Sequence, residues 1–116
     1  WGRVIHISSI MGQVSKEKRN AYSATKTALH GLARASALDL GPKGVTVNCI
    51  APGPFLTDMP MTLLSDAEKK AFSDRTALDR WGQPSELVGP VVFLASDAAA
   101  YVTGTVLYVD GGYTAR

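Results

Sequence analysis

Apolar residues group into short runs separated by polar or Gly/Pro-marked stretches, and the runs predict the elements. Val4, Ile5 and Ile7, interrupted by His6, predict a strand over Arg3–Ser8 that ends at two serines. From Ala21 to Leu40 the period changes: Ala28, Leu29, Leu32, Ala35, Ser36 and Leu40 mark a broad helical face of small and apolar residues. Gly41-Pro42 stops that helix. Val45–Ile50 predicts a second strand, cut off by Ala51-Pro-Gly-Pro54, and Thr105–Val109 a third, followed by an Asp110-Gly-Gly112 turn. Met11–Asn20 reads as a polar loop and Phe55–Leu64 as a mobile one. Ser65-Asp-Ala-Glu68 has capping-box spacing and predicts a short helix to about Asp74. Gln83-Pro84-Ser85-Glu86 places proline at a first helical position and predicts a helix towards Leu94. Pro90 would lie inside it, where a proline costs ~3 kcal/mol or bends the helix.

Composition narrows the class. Of the 116 residues, 46% are hydrophobic and 19% charged, the balance of a folded globular chain. The formal charge of +2 is interspersed and gives no reason to invoke nucleic acid. Lys16, Lys18 and Arg19, broken by Glu17, read as a solvated loop ahead of the helix, with contact to an anionic substrate or phosphate as the alternative. No apolar run reaches membrane-spanning length and no signal-peptide pattern occurs, so no membrane partner is expected. The single Cys49 sits in an apolar strand and reads as a buried small hydrophobe in a reducing, cytoplasmic setting. His6 and His30 have no second ligand at a usable spacing, which leaves no metal site in view. Trp81 reads as packing.

One constellation carries chemistry. Tyr22 and Lys26 are four residues apart and share a helix face one turn above the other. A cation beside a phenol favours the ionised form, which suits a general acid/base near neutral pH. Ser9, arriving from the end of the first strand, could hold a substrate oxygen against that phenol. Such a set suits proton transfer to or from an alcohol or ketone oxygen.

These residues resemble the Ser…Tyr-x-x-x-Lys set of the short-chain dehydrogenase/reductase family. The resemblance extends to Gly2–Gly12 around the serine, to Val45–Gly53 with its Pro-Gly turn, and to Thr103–Gly112 as a last strand. Four matched segments in order make it specific. It implies an α/β fold: the C-terminal half of a Rossmann-type doubly wound parallel sheet, three strands with flanking helices. The right-handed crossover rule makes such a sheet parallel, with ligands outside the carboxyl ends of its strands. It implies Tyr22 as acid/base, Ser9 rather than Ser8 as the hydroxyl on the reacting oxygen, and Lys26 as support for the phenol and a contact to the cofactor ribose. It implies cofactor contacts at Pro52 and Gly53, a backbone amide offered by Phe55, and a Thr57 hydroxyl for a pyrophosphate oxygen.

The resemblance therefore implies NAD or NADP as cofactor, a small secondary alcohol or ketone as substrate, and a homo-oligomer. The loop Pro52–Met59 loosely resembles that of members acting on sugar acids or 3-oxoacyl groups. No Gly-rich dinucleotide turn occurs in these residues, and the family's Asn-Asn-Ala-Gly segment and helix asparagine are also missing. Residues 1–116 are accordingly expected to be the catalytic half of a dehydrogenase domain whose dinucleotide-binding half would lie before Trp1. The residue that selects NAD or NADP would lie there too. The alternative expectation is an inactive fragment that only self-associates through uncovered apolar faces.

Overall fold

A computed structural model describes residues 1–116. Three strands, β1 (Gly2–Ile7), β2 (Val45–Pro52) and β3 (Val106–Val109), form one parallel sheet in the order β1-β2-β3. The long helix α1 (Asn20–Leu40) crosses from β1 to β2. Between β2 and β3 lie α2 (Asp58–Leu63), α3 (Asp66–Arg75) and α4 (Val88–Ala95). The predicted parallel sheet with flanking helices is the one observed.

Alternation along β2 explains why helices cover both faces. Val47 and Cys49 are fully buried against Ala33 and Ala37 of α1, whose small side chains let helix and sheet backbones approach closely. Ile50 faces the other way, into Leu94 of α4 and Ala99. Truncating a side chain buried like Ile50 or Leu94 to alanine typically costs about 2–5 kcal/mol. The central strand is also tied by polar side chains. Asn48, fully buried, donates through Nδ2 to the Val102 carbonyl (2.9 Å) and accepts from the Thr105 amide (3.2 Å). Together these bonds fix how the chain enters β3.

Four expectations need correction. Phe55–Leu64 is not a featureless loop: it contains α2, with Pro60 in the first turn, where a proline leaves no helical hydrogen bond unmade. The stretch Met11–Asn20 starts with a 3-10 turn, Ile10–Gly12, capped by Ser9. The helix from Pro84 is split into a 3-10 turn, Pro84–Leu87, and α4. The split puts Pro90 in the first turn of α4, so the expected cost of an interior proline does not arise. The capping box at Ser65 is present as expected, with the Glu68 carboxylate accepting from the Ser65 amide at 2.9 Å.

Only 18 of the 116 residues are buried, and much apolar surface faces outward. Ile7 on the edge strand is 49% exposed, and Leu32 and Leu38 on α1 are 50% and 80% exposed. No helix is long and apolar enough to cross a membrane.

Candidate functional site

At the carboxyl end of the sheet, Ser8 and Ser9 leave β1 in opposite directions because successive residues of an extended chain face opposite sides. Ser8 turns into the body of the protein. Its Oγ lies 3.1 Å from the Lys26 carbonyl oxygen and 2.7 Å from His30 Nε2, joining the strand end to two successive turns of α1. With the hydroxyl proton given to the carbonyl, His30 is the donor through its Nε2–H. Ser9 turns to the cleft. Its Oγ accepts from the Met11 amide at 3.1 Å, which leaves its own proton without a partner in the chain.

The cleft has a volume of about 490 Å³ and is lined by Ser9, Tyr22, Pro52, Gly53, Phe55 and Thr57 among others. Six of the seven residues singled out in the sequence thus share one cavity. Lys26 is the exception. Its ammonium lies beneath the Tyr22 ring, 5.7 Å from the centroid, and donates to the Ile7 carbonyl at 3.0 Å. Two of its three protons remain available.

Tyr22 is 44% exposed, so its phenol can meet a ligand without rearrangement. The Phe55 amide has no acceptor within the chain, although its neighbours Pro54 and Leu56 are both bonded to Gly82. The Thr57 hydroxyl is likewise unpartnered and exposed. These donors suit the carboxamide, ribose and phosphate oxygens of a nicotinamide dinucleotide.

Gly53 has a steric reason for its lack of a side chain. A Cβ there would stand 2.6 Å from the Asp110 Cα, so glycine is required by the turn after β3. That turn is itself locked: the Asp110 carboxylate accepts from the amides of Gly112 and Thr114 and from the Thr114 hydroxyl (2.9, 2.9 and 2.6 Å). A chemically silent motif in the sequence therefore sets one wall of the site.

The far wall is built by α2, α3 and the segment after it. Phe72 and Trp81 meet edge to face with centroids 5.5 Å apart, and Trp81 Nε1 donates to the Lys69 carbonyl at 2.9 Å. Trp81 is packing, as expected, but it packs as cleft lining. Its approach is fixed by Arg80, which holds Glu86 in a two-pronged ion pair (2.8 and 2.7 Å). The pair, aided by the Gln83 amide, lowers the Glu86 carboxyl to about 2.

The family model described as Enoyl-(Acyl carrier protein) reductase matches residues 1–114. The chain belongs to the short-chain dehydrogenase/reductase family. It is 45% identical over 112 residues to an L-rhamnose 1-dehydrogenase (NAD(P)(+)) of Sphingomonas sp., covering 96% of this chain and 44% of that protein. It is 40% identical over 112 residues to a 3-oxoacyl-[acyl-carrier-protein] reductase of Aquifex aeolicus, covering 97% and 45%. A gluconate 5-dehydrogenase from Burkholderia cenocepacia, solved with NADP and tartrate, superposes with a TM-score of 0.92 at 36% identity, over 97% of this chain and 44% of that one. The chain spans less than half the length of these relatives.

In this short-chain dehydrogenase chain, the sequence pattern did not reveal that Lys16 and Arg19 line the cleft with the aromatic residues. Of the two expectations for this cluster, the solvated loop describes Lys18, while the position of Lys16 and Arg19 is compatible with contact to an anion. The signal was present in part: cations close before Tyr22 must lie near it once the helix forms.

His30 is buried in its bond to Ser8. Burial, and secondarily Arg34, lower its pKa from 6.5. The unfolded chain therefore takes up this proton at a higher pH than the folded chain. The stability contribution is complete above pH 6.5 and is lost as pH falls from there through the lowered folded value. The urea midpoint should fall between pH 7.5 and 5.5, and His30→Gln should flatten that dependence while retaining a donor for Ser8. Equal pH dependence in both proteins would contradict the assignment.

Proposed function

We propose that this chain forms the catalytic half of an NAD(P)-dependent oxidoreductase that interconverts a secondary alcohol and a ketone. The observation that carries the reading is the convergence of Ser9, Tyr22, Pro52, Gly53, Phe55 and Thr57 on one cleft, with Lys26 directly beneath Tyr22. Family membership and the cofactors named for its relatives support it. NAD or NADP, when bound, supplies or accepts the hydride.

The chain's own residues manage the oxygen and its proton. Tyr22 gives its phenolic proton to the carbonyl oxygen in reduction and takes it from the alcohol in oxidation. Ser9, with its proton unpartnered in the chain, donates to that same oxygen and holds it at the phenol. The Lys26 cation stabilises the phenolate, and its two spare protons serve ribose hydroxyls. The Phe55 amide receives the carboxamide oxygen and the Thr57 hydroxyl a pyrophosphate oxygen. The phosphate-binding turn would come from outside these residues, which contain no Gly-rich equivalent. The buried free thiol of Cys49 supports a reducing, cytoplasmic compartment.

In the active protein, Tyr22→Phe should lower turnover by about 10²–10⁴-fold, the usual contribution of a general acid/base, with little change in cofactor affinity. Lys26→Ala should weaken cofactor binding as well as turnover. Near-normal turnover in the first variant, or unchanged cofactor affinity in the second, would overturn these roles.

A second reading, self-association, is favoured by the exposed apolar side chains of α1 and α4 and by Tyr101, which is fully exposed. Light scattering on the 116-residue chain should report dimers or larger species. A monodisperse monomer would contradict it.

A further inference from the structure

The cleft that holds Ser9 and Tyr22 has a one-signed charge. Lys16 and Arg19 are its charged lining residues, and no aspartate or glutamate lines it. Neither cation is in a salt bridge, although eight other charged residues of the chain are paired in four. Glu68, the carboxylate that senses Lys16, is already held by the Ser65 amide and hydroxyl at 2.9 Å each. Lys16 Nζ stands 4.9 Å from the Phe72 ring centroid, and the Arg19 guanidinium 5.9 Å from that of Tyr22. The two cations therefore stand over aromatic residues of the same cleft, one at its far wall and one at the phenol.

The position of Arg19 also costs stability. It is the N-cap of α1, a place that favours Ser, Asp or Asn, and it makes no capping bond. No acidic residue stands in the first turn, so the positive end of the helix dipole meets only another positive charge. Arg19 has no acidic partner among these residues, which leaves it available to an anion from solution.

The remaining lining limits what else that anion carries. Ile10, Met11, Met59, Leu63, Phe72 and Leu87 give largely apolar walls. Hydroxyls are limited to Ser9, Tyr22 and Thr57, and the Trp81 N–H is already used. Apart from the two cations, these residues offer a polyhydroxylated substrate few partners for the water it would lose.

We propose that the site takes an amphiphilic anion: a secondary alcohol or ketone on an apolar chain whose carboxylate or phosphate is held by Arg19 and Lys16. This rests on the oxidoreductase reading for the reacting oxygen, but its test does not need turnover. Calorimetric titration of the protein with octanoate, octyl phosphate, 1-octanol and gluconate separates charge from apolar surface. Octanoate or octyl phosphate should bind at least about tenfold more tightly than both octanol and gluconate, the scale of a charge-assisted contact, and should weaken with salt. The tighter of the two identifies the head group. Lys16→Gln/Arg19→Gln should remove about that tenfold preference over octanol. Octanol binding as tightly as both anions would overturn the charge assignment, and gluconate binding as tightly would overturn the apolar one. An undiminished preference in the double variant would overturn the residues named. Because binding is read without chemistry, these failures are distinct from near-normal turnover in Tyr22→Phe.

Discussion

The tie between the end of β1 and α1 is the constraint on which the site depends. The Lys26 ammonium donates to the Ile7 carbonyl, and the next residue, Ser8, bonds back to the Lys26 carbonyl and to His30. Strand and helix are thus joined through both the side chain and the backbone of one lysine. The fit is tight: a Cβ on Gly12 would come within 2.8 Å of His30 and 3.2 Å of the Lys26 backbone. With Ile7 and Ser8 fixed in this way, Ser9 must face the cleft and Tyr22 must stand above Lys26. A shift of α1 along the sheet would break these bonds together.

That arrangement explains why Ser8 and Ser9, identical in chemistry and adjacent in sequence, have different surroundings. One is committed on both sides to internal partners, and the other keeps its proton for a ligand. A similar economy appears across the cleft, where Asp110 fastens its own turn and forces glycine at position 53. Rigid polar bonding just behind the cleft leaves its inner surface with unpartnered donors. Those donors are what a cofactor and a reacting oxygen require.

The three strands, α1 and its stop at Gly41-Pro42 were legible because local signals agreed with the tertiary environment. Val47 and Cys49 give β2 one apolar face and Ile50 the other, the pattern of a strand covered on both faces. The meeting of Ser9, Tyr22 and Lys26 was legible because Tyr22 and Lys26 are helix neighbours and Ser9 follows a strand end. The α2 segment was less so: Met59, Pro60 and Leu63 are exposed or half-exposed in a six-residue helix, too short for periodicity to be read. The sequence left the surroundings of Lys16 open because they depend on Phe72, distant in sequence, whereas Arg19 stands at the nearby Tyr22. The steric role of Asp110 at Gly53 depends on β2 and β3 being neighbours, which no local pattern contains.

The account stands most directly on the division between the paired serines, and Ser8→Ala and Ser9→Ala measured side by side test it. Thermal unfolding and turnover should separate in opposite senses. Ser8→Ala leaves the His30 Nε2–H without its partner and should lower stability by about 1–3 kcal/mol, the cost of an unsatisfied buried group. Ser9→Ala should keep most of its stability and lose most of its turnover. Equal losses of stability in the two variants, or a Ser9→Ala protein with near-normal turnover, would contradict the account.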